Sequence, residues 1–179
     1  MQAKMMMGTI GVGLLLGTQA AIAAPFGGEE DTAYAASLWN ALTEASLVGE
    51  GRTMSAPYPG QHPHGAILDT IDSEMTVEGT TGPVIIKRNY GGEGVTKQAV
   101  WNDPDAYLGA VTVMFKREGY DPDNQDWFWV KYLPDGELDT NPQGVPLAGR
   151  VAKGMDQGCI ACHSAAPGGD MVFGHDRFQ

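Results

Sequence analysis

Close to its end the chain carries Cys159-Ile160-Ala161-Cys162-His163, and it has no other cysteines. On one turn of helix, positions i, i+3 and i+4 share a face, so this spacing presents two thiols and an imidazole together. That is the geometry of c-type haem attachment. The thiols add across the two haem vinyl groups, and the histidine that follows lies under the iron as proximal ligand. Three other uses of the same residues compete with it. A disulfide could close within Cys-x-x-Cys, or zinc could take Cys159, Cys162, His163 and His175. A thioredoxin-like redox pair would need a βαβ context, which the chain does not supply.

The motif stands sixteen residues before the end, behind segments that read as strands. All-helical cytochromes c usually carry it near the N-terminus, so that fold fits badly. Asp31 to Val48 has apolar residues near helical spacing (Tyr34, Leu38, Trp39, Leu42, Leu47) and is predicted to be a helix. The stretch from Gly49 to Gly65 is rich in Pro, Gly, Ser and His and is expected to be loop. Strands are predicted at Ala66 to Ile71 and, after a break at Gly82-Pro83, at Val84 to Tyr90. Leu108 to Lys116 is the clearest strand. Leu108, Ala110, Thr112 and Met114 fall on one side, and Val111, Val113 and Phe115 on the other. Turn residues at 120–124 lead into a second hairpin arm, Trp127 to Tyr132. Pro146 to His163 is expected to be helical, weakened by Gly149, Gly154 and Gly158. These elements predict one α+β domain: a small, mostly antiparallel sheet with an N-terminal helix and a C-terminal haem-attachment helix.

Residues 1–23 read as an export signal. Lys4 is their only charge, a run rich in Met, Gly and Leu follows, and Ala21-Ile22-Ala23 suits signal peptidase. An uncleaved membrane anchor is the alternative, diluted by Gly, Thr and Gln. Cleavage leaves residues 24–179 as a single domain with no membrane span, in the periplasm or otherwise outside the cytoplasm. The chain holds 22 acidic residues against 11 Lys+Arg, a formal net charge of -11. Such a surface repels nucleic acid and anionic membranes, and suits a basic electron-transfer partner.

For the far side of the iron, Met75, Met114, Met155, Met171, His62, His64 and His175 are all ligands in principle. Each also has an ordinary explanation as core or solvated loop. The favoured expectation is a sixth site open to ligands.

The ordered combination of Val84-Ile85-Ile86-Lys87, Gly119-Tyr120-Asp121-Pro122, Asp126-Trp127-Phe128-Trp129, Cys159 to His163 and Asp170-Met171-Val172-Phe173 resembles the cytochrome P-460 family. That family includes the beta-type cytochromes c-prime. The resemblance spans roughly residues 34–173. It implies one haem c per chain, a mostly antiparallel sheet, homodimers, and a five-coordinate iron facing an apolar pocket. It also implies reactions with nitric oxide or hydroxylamine. In hydroxylamine-oxidising members a strand lysine is bonded to the haem edge, and Lys87 holds the matching position. Those members carry an acidic residue above the haem. The corresponding position here falls at Val111 or Thr112, neither of which is a base, and a missing base typically costs a factor of about a hundred or more.

Three functions are therefore expected, in descending order. The first is binding and conversion of small nitrogen oxides. The second is hydroxylamine oxidation with a Lys87–haem link. The third is electron carriage with a permanent second axial ligand.

Overall fold

The structure is a computed structural model that describes residues 26–174. The export-signal reading of residues 1–23 and the ligand candidate His175 lie outside the described residues. Among the described residues no helix is long and apolar enough to cross a membrane.

A 16-residue helix, α1 (Glu29–Glu44), opens the fold. Three acidic residues in its first turn (Glu29, Glu30, Asp31) meet the positive end of the helix dipole. Tyr34, Ala35, Leu38 and Leu42 form its buried stripe. The helix stops short of the expected Val48 because Ser46 turns left-handed at φ 55°. Six antiparallel strands follow: β1 (Tyr58–Pro59), β2 (Ile67–Val77), β3 (Thr80–Tyr90), β4 (Leu108–Lys116), β5 (Trp127–Tyr132) and β6 (Ala148–Gly149). They pair in chain order, each with the next. Two short helices complete the set, α2 (Lys97–Asn102) between β3 and β4 and α3 (Cys159–His163) after β6. The expected α+β domain is the one observed.

Several local expectations need correction. Gly82-Pro83 does not break the chain: both lie inside β3. A Cβ at Gly82 would strike the Lys116 carbonyl, so glycine is what lets β4 pass this closely. Pro83 sits there without ending the strand. The supposed loop at 49–65 contains β1. The long helix expected from Pro146 shrinks to α3, because Gly149, Ala152, Gly154 and Gly158 all take positive φ. The segment before α3 instead supplies β6 and a series of turns.

The pleat sorts side chains onto two faces. Val84 and Ile86 of β3, Val113 and Phe115 of β4, and Phe128 and Val130 of β5 pack with the α1 stripe in one cluster. Leu38, Leu42, Ile86 and Phe115 are wholly enclosed there. Each such side chain contributes roughly 1.5–3 kcal/mol relative to exposure. Tyr132 closes this layer by donating its hydroxyl to the Ala35 carbonyl at 2.7 Å. The layer also contains the fully buried Arg88–Asp69 ion pair, with Arg88 donating to the Leu47 carbonyl as well. Ile85, Met114, Trp127 and Trp129 occupy the opposite face and pack with Val151, Ile160, Met171 and Val172. That second cover is the segment carrying the cysteine motif.

Leu108 departs from its expected side. The β3–β4 register slips between Asn89 and Tyr90, so Tyr90 opposes Leu108 while Asn89 opposes Ala110. A one-residue slip transfers a side chain to the other face. Leu108 accordingly packs near Tyr90 and Val100 rather than with Ala110.

Candidate functional site

Across the second face runs a row set by register: Thr70 opposite Lys87, Lys87 opposite Thr112, and Thr112 opposite Lys131. Lys87 is half-buried, and burial lowers its amine below the ordinary lysine range, with Asp72 and Cys162 pulling the other way. No carboxylate stands at Val111 or Thr112. Val111 points into the α1 cluster, whereas Thr112 belongs to the second face.

Above this row sits α3. Gly158 caps its start at φ 129°, and a Cβ there would collide with Ala152. Cys159 is half-buried and Cys162 exposed, both as free thiols. Burial raises the Cys159 thiol. His163 is buried and donates its Nδ1–H to the Met171 carbonyl at 2.7 Å. That carbonyl is aimed by a pinned tail. Trp127 Nε1 donates to the Asp170 carbonyl at 2.9 Å, the Val172 amide donates to the Asp170 carboxylate at 3.0 Å, and Met171 itself is left-handed at φ 65°. The ring of Trp129 lies 4.9 Å from that of His163, and Phe173 lies 5.3 Å away on an exposed flank. Burial lowers the His163 imidazole, and Lys87 adds to the effect.

A second imidazole completes the site. His64, in the loop between β1 and β2, has its ring centre 6.0 Å from that of His163. Its Nδ1 lies 3.4 Å from Thr112 Oγ1. Burial pushes it down to about 4, helped by Lys87 and His163, so it is neutral at pH 7. The loop is fastened at its base by Gly60 N–H to the Ala66 carbonyl and Ala66 N–H to the Tyr90 carbonyl.

The other ligand candidates are placed elsewhere. Met75 packs on the α1 side of the sheet. His62 and Met155 are exposed. Met114 is enclosed with the face tryptophans, and Met171 offers its carbonyl to His163.

A model of the cytochrome P460 family matches residues 63–174 of the chain. The chain belongs to the cytochrome P460 family. Neither a curated protein nor a solved structure gave a match. Membership makes this a haem-binding cytochrome, and the match runs from beside His64 through the cysteine motif to the pinned tail. Family membership implies haem binding, and the cysteine motif on α3 would hold the group against this face. Trp129 Nε1 and Asn89 Oδ1 are buried polar atoms without a partner, and both belong to the face under α3. Tyr34 Oη and Arg88 Nε on the α1 side are unpaired as well, so Trp129 Nε1 and Asn89 Oδ1 are compatible with a bound group without requiring one. Among the described residues, no three His, Cys, Asp or Glu side chains converge as a metal-ion cluster, and His175, the fourth candidate for zinc, lies outside them.

Sequence reasoning identified the cysteine motif and Lys87. It missed Trp129 and Thr112 as neighbours of the histidines, because only strand register brings them there.

Proposed function

We propose that the chain is an exported cytochrome with one haem c, joined through Cys159 and Cys162 and ligated by His163, which binds and converts small nitrogen species such as nitric oxide and hydroxylamine. The observation that supports it most is the His163–Met171 contact. Tying Nδ1 to a carbonyl fixes the tautomer and leaves Nε2 free for a metal, as in most protein imidazole ligands. Bound there, haem would supply an iron able to take a nitrogen ligand and exchange electrons. Trp129 braces the imidazole, and the enclosing side chains limit water. Thr112 stands where a base would be needed and has only a hydroxyl, which favours ligand binding over rapid hydroxylamine oxidation.

The cysteine pair is tested by Cys159→Ala with Cys162→Ala. Wild-type protein should show haem peroxidase staining on a denaturing gel, and the double variant should lose all of it. Staining that persists in both would overturn thioether attachment, unless Lys87 alone holds the group.

Oxidase chemistry is the second reading, favoured by the desolvated amine of Lys87 beside Cys162. A Lys87 bond to the haem edge would move the ferrous Soret band well to the red of an ordinary c-type haem, and Lys87→Ala would restore the ordinary band. An ordinary wild-type spectrum eliminates the link. The protein's acidic surface suits a basic electron partner, and pairing as a homodimer is part of the same proposal.

A further inference from the structure

We infer that Asp121, on the turn between β4 and β5, is a positioning residue for His163: the turn it organises grips the chain on both sides of α3 and so sets the hydrogen bond on the imidazole. The inference rests on His163 as the iron ligand, as proposed above, and identifies what fixes the strength of that ligand.

Helix α3 cannot orient itself. It has five residues, little more than one turn. So short a helix is marginal alone, and its direction must come from its flanks. Both flanks meet the same turn. Before α3, Lys153 donates to the Asp121 carboxylate and, at 3.1 Å, to that of Asp123. Arg150 donates to the Tyr120 carbonyl and lies 4.2 Å over the Tyr120 ring. After α3, Gln125 donates its side-chain amide to the Gly169 carbonyl, next to the Trp127–Asp170 bond that steadies the tail. The residue that follows, Met171, offers the carbonyl to which His163 donates.

Asp121 joins the two grips. Its side chain is 1% exposed, whereas that of Asp123 is 83% exposed, so the Asp121–Lys153 pair is the one that water cannot replace. Asp121 also shapes the turn. Its second carboxylate oxygen accepts from Asn124 Nδ2 at 2.8 Å, and its carbonyl accepts from the Asn124 and Asp126 amides. Its own amide donates to the Asp126 carboxylate at 3.0 Å. These bonds hold Gln125 and Asp126 left-handed, at φ 58° and 62°, a conformation that side chains rarely adopt unaided. Gln125 reaches Gly169 from that bend. Loosening Asp121 therefore slackens both flanks, and with them the Met171 contact. A hydrogen bond on Nδ1 raises the basicity of a ligating imidazole, so a slacker one makes a weaker donor and favours ferrous iron.

The test is the reduction potential of purified holoprotein, in which charge and position predict different signs. Asp121→Asn removes a negative charge and Lys153→Met a positive one, so electrostatics alone moves the two potentials in opposite directions. Loss of the grip instead raises both, as does the neutral change Gln125→Ala. The expected shift for Asp121→Asn is about tenfold toward ferrous iron, which is about 59 mV for one electron. The other two should shift less, in the same direction. Potentials of Asp121→Asn and Lys153→Met that move apart overturn the role. An unmoved Gln125→Ala overturns it too, and that variant decides even if the charged ones fold poorly. His163→Met separates the failure underneath. It should raise the potential more than any of them, and an unchanged value would show that His163 is not the ligand, overturning both readings at once.

Discussion

The two faces of the sheet are made by the same strands yet do opposite work. On the α1 side, Val84, Ile86, Val113 and Phe115 are sealed against a helix stripe, and a buried ion pair there, Arg88–Asp69, is supported by the Leu47 carbonyl and Ser55. On the other side, Lys87, Thr112 and Lys131 run in a row beneath two histidines. A period of two residues lets one strand serve both purposes, because adjacent side chains never share an environment. Stability is concentrated on one face, and capacity for a ligand is left on the other.

The contrast can be broken most forcefully at Arg88. Arg88→Met leaves Asp69 buried without its counter-charge, a change that typically costs 3–5 kcal/mol, about that much here. Urea denaturation should show the loss, while the haem spectrum of whatever folds should be unchanged. A altered spectrum without lost stability would mean that the faces are not independent. Gly158→Ala acts on the opposite face. Positive φ and the collision with Ala152 should cost about 1–3 kcal/mol locally. Lowered haem incorporation, with a nearly normal far-ultraviolet dichroism signal, is the expected readout.

The gentlest probe lies at the start of α1. Burial raises the Asp31 carboxyl above its ordinary value, against the opposing pull of the Tyr120 hydroxyl, which donates to it at 2.7 Å, and Arg150. A raised folded-state pKa contributes stability that is complete below the unfolded value, near 4, and is lost as pH rises through the folded one. Asp31→Asn should flatten that decline in denaturation midpoints measured upward from about pH 4. A steeper decline in the variant would reverse the sign and sink the assignment.

Where the sequence alternates strongly, structure was legible in it. Leu108–Lys116 and Trp127–Tyr132 agree residue for residue with their strands, since each places large apolar side chains on both faces. The cysteine motif was legible because its spacing is a chemical requirement. Gly82-Pro83 misled, since glycine there answers to the Lys116 carbonyl of another strand, which local pattern does not show. Helix α2 was missed. Its signal was Thr96, whose hydroxyl accepts from the Ala99 amide as an N-cap, but six residues carry little periodicity. His64 was one of seven candidate ligands in the sequence. Its distinction comes from Thr112 on β4 and His163 on α3, which come beside it only in the fold.

The strand order has a kinetic consequence. Each strand pairs with its successor in the chain, and β2 and β3 are joined by only Glu78 and Gly79, both at positive φ as a tight hairpin requires. Hairpins of this kind close in about 1–10 μs, and low sequence separation between partners makes for rapid folding. The central meander can therefore assemble before the last quarter of the chain is engaged. The cysteine segment then meets a finished surface, and whatever is fastened to it docks as the closing step.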